Sequence, residues 1–283
     1  MEWKMKLDRS RKELKTLLCV GLDTDMQKFP KDMLAADDPQ FDLNRRLVDA
    51  TKDLAAAYKL NMAFYESEGA KGFDPMKRTI AHIKDEAPEA IIILDGKKGD
   101  IGNTSKAYAK AAFMTLGADA VTLNGYMGID AVEPFAEYQD RLCFVLCRTS
   151  NRAAAEVQDI GGPSDPLYLR MAGLVRSWNR RGNLGLVVGA TFPEELSAVR
   201  ALVGYDMPIL VPGVGAQGGD LKKVLENGTG PNGSGVLINV SRGIMFAFED
   251  KAYKDLGYER AARTAATDMR ESIEKELVAL GRW

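Results

Sequence analysis

Residues 91–105, IIILDGKKGDIGNTS, run four apolar side chains directly into Asp95, Lys97, Lys98 and Asp100. On an extended strand residues two apart share a face, so Asp95 and Lys97 are expected to point together and Lys98 away, with Gly96 leaving room for another group to approach. Lys59, in the separate apolar run YKLNMAFY, supplies a second ammonium. Lysines and aspartates gathered in a site partly closed to water are costly unless their charges neutralise one another, which points to joint use. A Schiff-base lysine must be neutral and needs burial or nearby positive charge. Flanking carboxylates act the other way and favour an ammonium, so Lys97 reads as an acid that protonates a carbanion formed beside it. Asp100 lies past the strand, where it is placed to reach a neighbouring subunit.

A second group of polar residues falls late in the chain. VPGVGAQGG and NVSRG combine glycines, whose backbone N–H groups can line a concavity, with the Gln217 amide and the forked donors of Arg242, a set suited to a phosphate dianion. Asp23 ends LLCVGLD, Asn61 follows Lys59, and Thr149, Ser150 and Asn151 end RLCFVLCRTSN.

These residues need a scaffold that brings strand ends together. Short apolar runs, LLCVGLD, YKLNMAFY, IIILDGK, DAVTLN, RLCFVLCRT, LGLVVGAT, MPILVPGVG and SGVLINVSRG, alternate with amphipathic stretches such as FDLNRRLVDATKDLAA, NTSKAYAKAAFMTLG and PEELSAVRALVG. Eight strand-like runs with helices between them predict an α/β fold, a single (β/α)8 TIM barrel over residues 1–283, with chemistry at the C-terminal strand ends. The runs are too apolar for clean alternation, as expected of strands covered on both faces. A doubly wound open sheet is the competing topology; its one support is the glycine pattern in GVGAQGG, which lacks the following acidic residue a dinucleotide ribose requires.

Acidic and basic residues nearly cancel at a net charge of -2, which gives no field favouring nucleic acid or an anionic membrane. The charged N-terminus and the lack of a long apolar segment predict a cytoplasmic protein. Cys19, Cys143 and Cys147 read as packed, reduced thiols, and His82, the only histidine, as a solvated helix position. One histidine rules out a histidine-based metal site or triad.

LDGKKGDIGNT resembles the Asp-x-Lys-x-x-Asp-Ile signature of the orotidine 5'-monophosphate decarboxylases, and PGVGAQGG with NVSRG resembles that family's phosphate-binding segments. The resemblance continues through CVGLDTD, KLNMAFYE, GADAVTLNGYMG, CRTSN and VVGATFPEEL in family order, and is similar to the longer branch found in mycobacteria and apicomplexans. It implies loss of CO2 from orotidine 5'-monophosphate to give UMP, with no cofactor and no metal. By the same resemblance Asp95 sits against the substrate carboxylate, Lys97 delivers the proton to C6, and Lys59 orders the charges. Asp100, with Ile101 and Thr104, would enter the partner's site across a homodimer. Asp23 would hold ribose hydroxyls, Asn61 would support the network, and Ser150 with Thr149 would read the pyrimidine edge. Pro212, Gln217, Ser241 and Arg242 would grip the phosphate. One departure stands out: Arg152 replaces the proline expected after RTSN.

Two other functions use many of the same residues. A magnesium-dependent sugar-phosphate lyase of the same superfamily needs a further carboxylate at the end of the second strand, where Glu66 is the nearest candidate. A noncatalytic nucleotide-binding barrel would keep the phosphate segments but has no use for Lys59, Asp95, Lys97 and Asp100 together.

Overall fold

The computed structural model describes residues 2–215 and 218–283. Eight parallel strands close into a barrel in sequence order. They are β1 Leu18–Leu22, β2 Ala57–Asn61, β3 Ile91–Lys98, β4 Ala120–Leu123, β5 Leu142–Arg148, β6 Leu184–Val188, β7 Ile209–Pro212 and β8 Val236–Val240. Leu18 of β1 pairs with Ile238 of β8 and so joins the two edges; the (β/α)8 barrel is the fold, and the open sheet is not.

The strand-like runs overshoot in two places. YKLNMAFY is strand only to Asn61, then turns into a helix at Ala63–Glu66. NVSRG likewise leaves β8 at Val240 and becomes helical over Arg242–Met245. In both, apolar residues after the strand still pack inward, so hydrophobicity alone does not mark the end. The helix predicted across NTSKAYAKAAFMTLG forms over Gly102–Lys110 and then widens into a π turn at Ala111–Thr115.

Local signals account for several helix starts. Asp38 and Asp220 each accept a hydrogen bond from the backbone N–H three residues on, at 3.2 Å, and Pro39 and Pro193 occupy first-turn positions where no N–H is needed. No described helix is long and apolar enough to cross a membrane.

Alternation along the strands sorts their side chains into two bodies. Outward residues such as Val20, Ile92, Val121 and Ile238 pack beneath the helices; inward ones, including Cys19, Ala57, Ile93, Phe144 and Leu237, fill the barrel. The three cysteines are buried and free. The helix Glu2–Lys12 closes the N-terminal end, where Trp3, 2% exposed, joins the interior cluster. The inward side chains of the barrel are therefore apolar from its base upward, and the charged ones among them, Lys59 and Asp95, stand in its top layer.

His82 departs from expectation. Its ring is largely covered, and Nε2 lies 2.7 Å from Asp49 Oδ1, joining neighbouring helices.

Because Trp3 plugs the end of the barrel opposite the charged layer, Trp3→Ala should lower stability by roughly 3 kcal/mol. Urea denaturation measures this, and ligand affinity of the folded variant should be unchanged.

Candidate active site

On four of the strands the inward position two residues above the apolar plug carries a polar side chain. Lys59 follows Ala57 on β2, Asp95 follows Ile93 on β3, Thr122 follows Ala120 on β4, and Asn239 follows Leu237 on β8. Parallel register aligns them: Lys59 lies beside Gly21 and Asn61 beside Asp95. Together they floor a cavity of about 780 Å³ at the C-terminal ends of the strands.

Across that floor runs a chain of alternating charge. Lys59 Nζ is 3.2 Å from Asp23 Oδ1 and 3.0 Å from Asp95 Oδ2; the other Asp95 oxygen, Oδ1, receives Lys97 Nζ at 2.7 Å and the Thr122 hydroxyl at 2.7 Å. Two carboxylates and two ammoniums sum to zero.

Burial is the largest influence on both central groups, and pairing overcomes it in each. Desolvation pushes the Asp95 carboxyl up, but Lys59 and Lys97, with the hydrogen bonds from Lys97 and Thr122, hold it well below the ordinary carboxylate range. Desolvation pushes the Lys59 ammonium down, but Asp23 and Asp95 hold it above the ordinary lysine range. Cys19 lies beneath. Burial pushes its thiol up to about 12, and Sγ donates to Asn239 Oδ1 at 3.5 Å, so it is a neutral packing group.

Lys97 reaches Asp95 by a different route from the one alternation predicts. Its backbone is left-handed, with φ 46, and the register of β3 against β4 breaks between Leu94 and Lys98. A side chain in that conformation costs about 1 kcal/mol. Thr122 holds the irregularity in place, because its Oγ1 accepts the Lys97 N–H at 3.0 Å while donating to Asp95. Lys98 points away, as expected, and pairs with Glu66 at 2.9 Å outside the cavity.

The remaining predicted residues divide into three sets. Asp23, Asn61, Thr149, Ser150, Pro212, Ser241 and Arg242 line the cavity. Two glycines make this possible: a Cβ at Gly21 would lie 1.9 Å from Ser241 Oγ, and one at Gly189 would lie 2.8 Å from Ser150 Cβ. Asp100, Ile101 and Thr104 are not among the lining residues of their own chain. Asp100 instead turns the chain into the helix Gly102–Lys110, with its N–H donating to Ser105 Oγ at 3.2 Å and Oδ1 accepting from Ile101 N–H at 2.7 Å. Gln217 lies outside the described residues; its described neighbours Gly213, Gly215 and Gly218 have φ of 100, 72 and 83.

Sequence reasoning missed Thr122, Asn239 and Gln158. The first two were accessible from alternation, since each stands two residues above an inward apolar position. Gln158 was not, because only the folded loop brings it back to the cavity. Among the described residues no group of three or more His, Cys, Asp or Glu is arranged to hold a metal ion.

Fold and site together define a class: a (β/α)8 barrel whose strand ends carry an ionised lysine–aspartate chain beside a glycine-rich, arginine-bearing wall. Residues 16–254 match the family described as Orotidine 5'-phosphate decarboxylase / HUMPS family. An orotidine 5'-phosphate decarboxylase of Janthinobacterium sp. (strain Marseille) is 44% identical over 262 residues, covering 92% of this chain and 94% of that one. One from Aromatoleum aromaticum is 45% identical over 263 residues, with the same coverage of 92% and 94%. Among solved structures, the OMP decarboxylase of Leishmania donovani superposes with a TM-score of 0.82 at 36% identity, covering 98% of each chain. The chain belongs to the orotidine 5'-phosphate decarboxylase / HUMPS family.

The low folded-state pKa of Asp95 has a defined consequence for stability. A carboxyl depressed by folding stabilises the protein fully above its unfolded value, near about 4, and that contribution is lost as pH falls below it. Wild type should therefore lose stability between about pH 5 and pH 2 more steeply than Asp95→Asn, so that their urea midpoints converge in acid. Parallel curves would show that Asp95 titrates alike in both states.

Proposed function

We propose that this chain decarboxylates orotidine 5'-monophosphate to UMP and CO2, the last step of de novo UMP biosynthesis. The observation that carries the reading is the Asp95 carboxylate, ionised and flanked by Lys59 and Lys97, in a cavity whose opposite wall bears Ser241 and Arg242. In this reading the phosphate lies against the wall formed after β7 and β8 and the pyrimidine carboxylate lies toward Asp95. The bond from C6 to the carboxylate breaks, CO2 departs, and the electron pair stays on C6. Lys97 transfers a proton from its ammonium to C6 and is reprotonated by water. A negative charge forming on carbon beside a preorganised ammonium is stabilised electrostatically, and the bound phosphate contributes binding energy that orients the reacting ring.

No cofactor or metal is required in this scheme. The placement of Glu66 supports that choice over a magnesium-dependent lyase, since this carboxylate pairs with Lys98 outside the cavity.

We further propose a cytoplasmic homodimer in which Asp100 crosses into the partner's site, with Ile101 and Thr104 beside it. Ile101 is 56% exposed, and Tyr126 and Met127, which lead into the packed neighbouring helix Ile129–Ala136, are 80% and 50% exposed. Exposed apolar side chains next to a carboxylate that does not line its own cavity suit a surface covered by a second copy.

Purified protein in excess EDTA should convert orotidine 5'-monophosphate to UMP, followed by the loss of substrate absorbance; no conversion would refute the assignment. Lys97→Ala should reduce turnover by roughly a thousandfold or more while UMP binding and folding persist. An active alanine variant would remove Lys97 from the role of proton donor. Mixing inactive Lys97→Ala and Asp100→Ala proteins under subunit exchange should restore roughly a quarter of wild-type activity if sites are shared between subunits. No recovery after demonstrated exchange would place Asp100 outside the partner's site.

A further inference from the structure

Between β5 and the helix Leu167–Trp178 the chain makes a long excursion that begins with Thr149, Ser150 and Asn151 and carries Arg152 in place of the proline expected there. Two successive cross-links close its base. Arg148, whose side chain is 3% exposed, places Nη1 2.9 Å from Asp159 Oδ1. The next residue, Thr149, donates its N–H to Gln158 Oε1 at 2.9 Å and receives Gln158 Nε2 on its hydroxyl at 2.7 Å. Arg148 with Asp159 and Thr149 with Gln158 thus form an antiparallel pair of rungs. The guanidinium is also stacked 4.1 Å from the Phe192 ring, which ties the lower rung to the start of the helix that follows β6.

The upper rung bears on the cavity. Both ends of the Gln158 carboxamide are engaged by one residue, and the Thr149 hydroxyl passes the constraint on by donating to Asn151 Oδ1 at 2.6 Å. Ser150 lies between the two tethered residues, and from below Gly189 lets its backbone approach so closely that a Cβ would lie 2.9 Å from Ser150 N. Thr149, Ser150, Asn151 and Gln158 all line the cavity. Without a proline to stiffen it, the turn around Ser150 would sample many conformations; closing it at both ends removes that freedom before a ligand arrives.

We propose that Gln158 is a positioning residue for base recognition, holding Thr149 to Asn151 so that Ser150 meets the edge of the pyrimidine in one fixed orientation. This rests on reading the site as one that binds orotidine 5'-monophosphate. A donor–acceptor pattern held rigid discriminates between uracil, with a donor at N3 and an acceptor at C4, and cytosine, in which both are inverted. An unfixed turn adapts to either.

Four proteins test this: wild type, Gln158→Leu, which removes both hydrogen bonds, Gln158→Glu, which retains the acceptor for the Thr149 N–H, and Thr149→Val, which removes only the hydroxyl. Steady-state kinetics on orotidine 5'-monophosphate and inhibition constants for UMP and CMP are measured on each, with thermal melting as the check on folding. Gln158→Leu should raise KM by roughly tenfold with a smaller change in kcat, and should narrow the preference for UMP over CMP by roughly tenfold. Gln158→Glu and Thr149→Val should fall between Gln158→Leu and wild type. Unchanged KM and unchanged UMP-to-CMP preference in Gln158→Leu would overturn the proposal. So would equal weakening of UMP and CMP accompanied by a lower melting temperature, the signature of a purely structural contact. If Gln158→Leu does not fold, Thr149→Val decides, and wild-type discrimination in it refutes the role. Inactivity of wild type itself would instead refute the substrate assignment, a result read before any variant is compared.

Discussion

The site depends on one carboxylate, Asp95, kept ionised where burial alone would neutralise it. At 8% exposure its charge is tenable only because each oxygen has its own ammonium, Lys59 on one side and Lys97 on the other. Removing either partner would leave a desolvated charge. The neutral sum of the Asp23, Lys59, Asp95 and Lys97 chain explains how four ions can share the top layer of a barrel whose lower layers are apolar. A chain with no net charge also gives an anionic ligand no bulk attraction, so attraction must come from elsewhere in the cavity, where Arg242 stands.

Rigidity follows from the same arrangement. Lys59 is buried, and its Nζ is held between Asp23 and Asp95. Lys97 is fixed by its backbone as much as by its ion pair, because Thr122 grips both its N–H and the carboxylate it pairs with. A threonine on the neighbouring strand thereby connects a strained backbone at the end of β3 to the electrostatics of the site. Strain confined to a single residue and held by a hydrogen bond from another strand is a form of preorganisation, since no rearrangement is needed when charge develops beside it.

Two walls of the cavity are built differently from the floor. The floor is made of strand residues, whose positions follow from barrel register. The walls are loops whose positions follow from close backbone approach, with Gly21 admitting Ser241 and Gly189 admitting Ser150. Loops placed by contacts of this kind can vary in length and composition while the charged layer stays in place, which is how one barrel serves many ligands.

Much of this was legible in the chain itself. Apolar runs at regular spacing, each ending in polar residues, specify βα units and place Asp95, Lys97 and Lys59 at strand ends, because period-two alternation and strand termination are local properties. The same locality explains the errors. Hydrophobic side chains after Asn61 and Val240 continue to be buried although the backbone has become helical, and an extended Lys97 could not be told from a left-handed one. Whether the sheet closed, and hence whether β8 stood beside β1, was a matter of pairing between distant segments. Gln158 could be assigned to the site only once the excursion after β5 folded back on Thr149. Sequence by itself determined which residues would be ionised together and on which strands. Tertiary structure decided their distances, the strain at Lys97 and the loops that face them, because those depend on contacts between residues far apart in the chain.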